Sequence, residues 1–181
     1  MKVLSNTLNG ILKIEMERHD DPRGWFCEGY HQDIFHPLNV APFIQDNYSH
    51  TIKKGTIRGM HFQSEPYSQS KLFRCIRGTV YDVVVDLRKD SPTYLQWAGF
   101  DLNGDRFEWL YVPKGFAHGF QTLCDSCDVQ YKVDTAYHPE AEGCIRWNDP
   151  ELGINWPVPA TNLPEKDSQG LSLADFRLSG G

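Results

Sequence analysis

The polarity of residues 79–87 alternates with a period of about two, a pattern typical of a β-strand. The alternation places Val83 and Val85 on one face of the strand and Asp82 and Asp86 on the other. The sequence therefore predicts a long strand at this point in the chain.

Short segments rich in Val, Ile, Phe, Tyr and Trp fill most of the chain, and Gly and Pro separate them at short intervals. This pattern is typical of many short strands. Residues 106–112 predict another strand, and residues 101–105 predict the hairpin turn before it. Helical signals are confined to residues 32–35 and 172–176. We therefore expect an all-β fold, an antiparallel sandwich or barrel with a few short helices.

Length and composition are those of an ordinary soluble domain. The chain has 181 residues, of which 40% are hydrophobic and 23% are charged. We expect a single domain over residues 1–181, with its core at about 20–160 and a loop-rich C-terminal wrap at about 156–181. The start of the chain lacks the apolar core of a signal peptide, and aspartates interrupt the most apolar stretch, residues 80–87. These features predict a cytoplasmic protein with no membrane partner.

Charge and cysteine usage narrow the possible partners. A net charge of −6 argues against a nucleic-acid partner, although a local basic pocket could still bind a phosphorylated small molecule. Five cysteines, an odd number, fit reduced thiols better than a disulfide framework. Cys124 and Cys127 form a C-x-x-C, but a structural zinc site would need a second pair and the other three cysteines stand singly. We therefore expect neither zinc nor redox chemistry at this pair.

The densest chemistry lies in residues 55–63, Gly-Thr-Ile-Arg-Gly-Met-His-Phe-Gln, which predict a strand. His61 follows Arg58 by three residues, so we expect a base and a fixed cation close together. His61 and Gln63 share one face of the strand, and the residues between and before them point to the other. This arrangement indicates a lined pocket on one side and a packed layer on the other.

The same histidine invites comparison with metal-binding cupins. Those proteins place a His-x-His pair and a glutamate on one strand, and a further histidine after a Pro-x-Gly turn. Here residues 113–118 supply the turn and His118, but Gln63 stands in place of the second histidine and no glutamate falls four residues beyond it. A neutral amide is a poor metal ligand. The scaffold therefore resembles a cupin jelly roll, and we expect no bound metal.

Several residues suit proton transfer next to a carbonyl. A neutral imidazole with a pKa near 7 can take a proton from such a carbon, which makes His61 the candidate base. The reaction also needs a donor for the enolate oxygen and a weak acid on the far face. Tyr131, with a phenol pKa of about 10, suits the acid. Arg23, Arg58 and Lys71 together indicate a rim that binds a diphosphate.

These motifs belong to a larger ordered set that is similar to the dTDP-4-dehydrorhamnose 3,5-epimerase family. The set runs in register from about residue 20 to 170, and its members are residues 21–28, 45–49, 55–63, 71–72, 82–88, 91–93, 112–120, 131–132, 147–150 and 165–167. The resemblance implies a jelly-roll homodimer that uses no metal or cofactor. It also implies conversion of dTDP-4-dehydro-6-deoxy-D-glucose to dTDP-4-dehydro-L-rhamnose, a nucleotide-linked substrate of rhamnose and polysaccharide synthesis, by inversion at C3 and C5.

The resemblance also implies roles for individual residues. His61 is the base, Asp167 orients it and Tyr131 is the acid. Contacts to substrate or diphosphate fall on the other matched positions, which are Arg23, Glu28, Gln45, Asn47, Arg58, Lys71, His118, Glu142 and Lys166, with Tyr137 stacking on the thymine. We add Gln63 because it shares the face of His61. Tyr48 and Pro164 depart from the family pattern beside inferred site residues, which affects specificity more than chemistry.

Three alternatives stay open from the sequence. A monoepimerase would invert only C3 or C5 of a related nucleotide-linked 4-keto sugar, with a nearly identical site. A metal-dependent cupin enzyme is opposed by Gln63. A non-catalytic sugar-nucleotide binder is opposed by the presence of His61, Asp167 and Tyr131 together.

Overall fold

Nearly all of the short apolar segments form strands, so the predicted all-β jelly roll is confirmed. A computed structural model describes residues 1–178, and the last three residues of the predicted C-terminal wrap lie outside the described residues. The strands are β1 (Lys2–Thr7), β2 (Ile11–Glu15), β3 (Arg18–Asp21), β4 (Gly24–Cys27), β5 (Gln45–Thr51), β6 (Ile57–Gln63), β7 (Lys71–Arg77), β8 (Thr79–Asp86), β9 (Trp97–Asn103), β10 (Glu108–Val112), β11 (Phe116–Thr122), β12 (Cys127–Val133) and β13 (Glu142–Cys144).

Two antiparallel sheets form the sandwich. One has the order β1-β2-β10-β7-β12-β5, the other has the order β13-β6-β11-β8-β9, and β3 and β4 form a separate hairpin. The hairpin turn predicted at residues 101–105 is wrong, because β9 runs on to Asn103 and the turn after it connects the two sheets. Apolar side chains from both sheets pack between them, including Phe73 and Val129 from the first sheet and Val84 and Phe116 from the second. Burial of this apolar surface is the main force that holds the sheets together.

Strand β8 shows the predicted alternation. Val83 and Val85 lie on the outer face of the five-stranded sheet, whereas Asp82 and Asp86 are fully buried with the inner face. The outer face is covered by the C-terminal part of the chain, where Leu173 packs in the same cluster as Val83 and Val85. This packing carries the C-terminal residues alongside β6.

The helices are short, as predicted. They are α1 (Gln32–Phe35), α2 (Glu165–Ser168) and α3 (Leu173–Leu178). The first and third match the sequence signals, but α2 was not predicted because one turn carries too little periodicity to recognise. Within the described residues, no helix is long and apolar enough to cross a bilayer.

Candidate active site

A cavity of about 380 Å³ lies between the two sheets and is walled by side chains of both. This size is within the range of small-molecule sites in proteins. Ten of the fourteen predicted site residues line it: Arg58, His61, Gln63, Lys71, His118, Tyr131, Tyr137, Glu142, Lys166 and Asp167. The structure thus collects into one site residues that are up to 109 positions apart in the sequence, taking Arg58 and Asp167 as the ends.

His61 and Asp167 form the predicted pair. The His61 Nε2 lies 2.7 Å from Asp167 Oδ1, and Asp167 is only 4% exposed. Asp167 reaches the base from α2, 106 residues along the chain. Because a carboxylate accepts a hydrogen bond and cannot donate one, it holds the ring proton on Nε2 and leaves Nδ1 with a free lone pair. Nδ1 is therefore the basic atom.

A β-bulge brings Arg58 to the same cavity as His61. Residues three apart on a regular strand point to opposite faces. Along β6, however, Arg58 and His61 are three residues apart while their partners on β11 are only two apart, so β6 contains one extra residue. Gly59 lies in the bulge with φ +137°, and a Cβ there would lie 2.5 Å from Gly119 Cα. Only glycine fits this position, because other residues would clash and be strained.

A second histidine–aspartate pair lies beside the first. His118 Nε2 lies 2.8 and 3.0 Å from the two carboxylate oxygens of Asp82, which is fully buried. Burial raises the pKa of Asp82, while His118 and Lys71 act to lower it. Asp82 was not predicted as a site residue, although the alternation along residues 79–87 had placed it on the face opposite Val83 and Val85.

Lys71 supplies a cation whose charge is easily lost. Burial lowers the pKa of Lys71 from 10.5 to about 8, and the carboxylates of Asp82 and Glu142 act against this shift. At neutral pH the ammonium group is still mostly charged. It is therefore able to stabilise a negative oxygen in the cavity.

Tyr131 faces the cavity from the other sheet. It lies on β12, beside Phe73 of β7, and the two rings are 6.4 Å apart. Phe73 in turn packs edge-on against His118 at 5.0 Å, so it joins the two walls. Burial raises the pKa of Tyr131, which keeps the phenol protonated. Within residues 1–178 its hydroxyl makes no hydrogen bond, which leaves it available to a ligand.

Glu142, Lys166 and Tyr137 form a hydrogen-bonded group at the cavity edge. The Lys166 ammonium donates to Glu142 at 2.6 and 2.7 Å, and the Tyr137 hydroxyl donates to Glu142 at 2.7 Å. Burial acts to raise the pKa of Glu142, but these two donors hold it below its usual value. Tyr137 is 53% exposed and presents an aromatic ring at the mouth.

Gln63 lines the cavity but its amide is already engaged. Its Nε2 donates to the carbonyls of Tyr67 and Ala136 at 2.6 and 3.2 Å, and its Oε1 accepts from the His138 amide at 2.7 Å. Gln63 therefore ties two loops to β6. An amide held in this way does not complete a cupin-type metal set with His61, so that set does not fit a metal.

Four predicted residues do not line the cavity of their own chain. Asn47 of β5 is opposite Tyr131 of β12, and the Gln45 amide donates to Asn47 Oδ1 at 2.8 Å. Both residues lie on the same face of β5 as the cavity residue Ser49. Arg23 is exposed on the β3–β4 hairpin, where it is ion-paired with Asp21 at 2.6 Å. Glu28 follows β4 on the same hairpin. Their predicted contacts stay predictions.

The jelly roll places a histidine–aspartate base and a protonated tyrosine on facing walls of a cationic cavity. This arrangement defines an isomerase that acts by proton transfer. A sequence profile described as dTDP-4-dehydrorhamnose 3,5-epimerase matches residues 5–175. The chain therefore belongs to the dTDP-4-dehydrorhamnose 3,5-epimerase family.

Individual relatives agree with this assignment. The chain is 43% identical to a dTDP-4-dehydrorhamnose 3,5-epimerase of Salmonella typhimurium over 91% of its length and 90% of that protein. It is similar to the crystal structure of the Bacillus anthracis enzyme with TDP and pyrophosphate bound, with a TM-score of 0.93, 44% identity and coverage of 95% and 99% of the two chains. It is also similar to a Legionella pneumophila epimerase in complex with dTDP-4-keto-L-rhamnose, with a TM-score of 0.90, 38% identity and coverage of 96% and 93%.

Proposed function

We propose that this protein inverts C3 and C5 of dTDP-4-dehydro-6-deoxy-D-glucose and so produces dTDP-4-dehydro-L-rhamnose. The observation that carries the proposal is that His61, with its aspartate, and Tyr131 line one cavity from different sheets. A base and an acid on facing walls can act on opposite faces of one sugar ring, which is the requirement for inversion. The nucleotide part of the substrate is supported by the relatives that bind dTDP compounds.

Each inversion consists of two proton transfers. His61 Nδ1 takes the proton from the carbon next to the C4 carbonyl, and the electron pair of the C–H bond moves toward the carbonyl oxygen to form an enolate. Lys71 stabilises that oxygen with its ammonium group. Tyr131 then returns a proton to the other face of the carbon, and solvent restores both side chains. Because C3 and C5 both adjoin C4, a shift or flip of the ring lets the same residues serve both carbons.

The remaining cavity residues suit the nucleotide diphosphate. Arg58 offers a planar guanidinium for phosphate oxygens, and its Nε is held by Thr51 Oγ1 at 3.0 Å. Lys166 adds a second cation, and the exposed ring of Tyr137 offers a surface for stacking on thymine. No metal or organic cofactor has a role in this proposal.

We infer a homodimer as the working form. Large apolar side chains are exposed on the hairpin, where Trp25 is 59% and Phe26 is 66% exposed, and Tyr48 is 69% exposed on the edge strand β5. Exposed apolar patches and open sheet edges are typical of surfaces that pair with another chain. In such a dimer Arg23 and Glu28 would contact the substrate of the partner copy, which explains why they are absent from their own cavity.

The cytoplasm is the location that fits the chemistry of the cysteines. All five are free thiols, as expected in a reducing compartment. We treat residues 1–181 as a single domain in this proposal, since both sheets contribute to one cavity.

One NMR experiment tests the function. Incubation with dTDP-4-dehydro-6-deoxy-D-glucose in D₂O is expected to introduce deuterium at C3 and C5 and to give the L-rhamno product. Exchange at one carbon alone would identify a monoepimerase. Binding of the nucleotide sugar without any exchange would identify a non-catalytic binder.

A further inference from the structure

Cys144 lies directly beside the proposed catalytic base. It is the residue opposite His61 in the pairing of β13 with β6. Its Sγ, a ring nitrogen of His61 and a carboxylate oxygen of Asp167 all lie within 4.8 Å of one another. The proposed epimerisation gives this thiol no role.

These three side chains offer the donor set that zinc prefers. Zn²⁺ binds cysteine sulfur, histidine nitrogen and carboxylate oxygen in tetrahedral sites, with bonds of about 2.0–2.3 Å and ligand atoms consequently about 3.5 Å apart. The thiol must approach slightly, and the 2.7 Å contact between His61 and Asp167 must open slightly. Asp167 lies on the single-turn helix α2, so a small adjustment of its carboxylate leaves both sheets unchanged.

The thiol is poorly suited to reaction with electrophiles, and zinc must displace its proton in order to bind it. Burial and the nearby Asp167 raise the pKa of Cys144 to about 11, so the thiol is protonated at neutral pH. Thiolates, and not thiols, are the nucleophiles. A bound Zn²⁺ releases this proton, and the buried negative charge of Asp167 attracts the ion.

We propose that His61, Cys144 and Asp167 form an inhibitory zinc site behind the catalytic base. Nε2 is the imidazole nitrogen that faces Asp167, so the ion replaces the proton on Nε2. The remaining ring proton of a neutral imidazole must then lie on Nδ1. Because Nδ1 is the atom that accepts the substrate proton, zinc removes the base without filling the cavity.

This consequence for catalysis rests on the proposed function, whereas the site itself does not. We therefore expect Zn²⁺ to stop deuterium exchange at both carbons and to leave the affinity for dTDP unchanged. Inhibition should be non-competitive with the nucleotide sugar and should be reversed by a chelator.

Cobalt provides a test that is independent of activity. The purified protein titrated with Co²⁺ should develop the near-ultraviolet charge-transfer absorption of a cobalt thiolate. Cys144→Ser and Cys144→Ala should both lose this absorption and bind Zn²⁺ about tenfold or more weakly by calorimetry, while they keep their activity and resist zinc. Cys124→Ser, which changes a thiol in the turn between β11 and β12, is the matched control and should behave like the wild type.

The outcomes separate the two proposals. Equal cobalt spectra or equal zinc affinities for wild type and both Cys144 variants overturn the site, as does competition between zinc and dTDP. Melting curves would show whether either Cys144 variant is misfolded. Even in that case, absence of the thiolate absorption from the wild-type protein would overturn the site. If the wild type shows the absorption but exchanges no deuterium even without zinc, the epimerase function fails and the zinc site stands.

Discussion

His118 lies directly opposite His61 in the pairing of β6 with β11, and each imidazole is hydrogen-bonded to its own aspartate. The two pairs differ in exposure. The side chain of His61 is 29% exposed and contacts an aspartate on the short helix α2, whereas His118 is 7% exposed and its aspartate is fully buried. The accessible pair suits proton exchange with a substrate, and the buried pair suits a fixed hydrogen-bonding role.

Replacement of the base tests this division of labour. His61→Ala should abolish deuterium exchange at both C3 and C5, because no other histidine is paired with Asp167 in the described residues. The measurement is NMR in D₂O, with dTDP affinity by calorimetry as a control that should change little. Exchange that persisted at either carbon would reveal a second base.

Removal of the acid should separate exchange from inversion. Tyr131→Phe deletes the phenolic proton donor and keeps the ring that packs on Phe73. General acid catalysis contributes about 10²–10⁴-fold, so inversion should fall by that factor while deuterium exchange from the His61 face continues. A parallel fall of exchange and inversion would contradict the stepwise roles. Unchanged inversion would show that Tyr131 only forms the wall.

The pKa of Lys71 predicts a loss of activity in mild alkali. Since the pKa of Lys71 is lowered to about 8, the ammonium group that we propose to stabilise the enolate loses its proton above that pH. We expect kcat/KM to decline above about pH 8, and a Lys71→Met variant to be slow and to lack this decline. A variant with the same alkaline decline would assign it to another group.

The same shift predicts the direction of a stability change. The folded pKa of Lys71 lies below its ordinary value of 10.5, so between about pH 8 and 10.5 the unfolded chain holds more protons at this residue. Stability therefore rises with pH in this window as far as Lys71 is concerned. Lys71→Met should remove this contribution, which denaturant unfolding at pH 7.5 and 10 can measure by comparison with wild type.

Chelation should leave activity intact. Gln63 occupies the position at which a cupin would offer a second histidine, and its amide is bonded to the backbone. Exhaustive treatment with EDTA should not lower turnover, and it should raise turnover if zinc was carried through purification. Loss of turnover that added divalent metal restores would contradict the metal-independent mechanism.

Assembly is testable through the exposed hairpin. Light scattering at micromolar concentration should show a dimer. Phe26 is 66% exposed, and Phe26→Glu, by placing a charge on this apolar surface, should shift the equilibrium toward the monomer. If Arg23 serves the partner's site, the monomeric variant should also bind dTDP more weakly. A fully active monomer would contradict the proposed arrangement.

The sequence predicted regular features well and irregular ones poorly. The alternation along β8 correctly assigned its faces, because side-chain direction on a regular strand has a fixed period. The same rule would have separated Arg58 from His61, and only the bulge at Gly59 brings them together. The engagement of the Gln63 amide depends on loops that carry no periodic signal.

Long-range contacts were the other limit. Asp167 was assigned to His61 through the family resemblance, since no local pattern links residues 106 positions apart. Asp82 illustrates the opposite case. The alternation could place it on the face opposite Val83 and Val85, but its contact with His118 depends on the register between β8 and β11, which pairs Asp82 with Phe120 and sets His118 against Val84.

The helix that carries Asp167, α2, follows all thirteen strands along the chain and is therefore synthesised after them. A ribosome that has translated the chain through β13 has supplied every strand of both sheets but not Asp167, the carboxylate that contacts His61. Every strand that walls the cavity is therefore synthesised before Lys166 and Asp167, which complete its lining. With Asp167 in its proposed role, proton transfer requires the nearly complete polypeptide, and a proteolytic cut between β13 and α2 that let the downstream segment dissociate would abolish it.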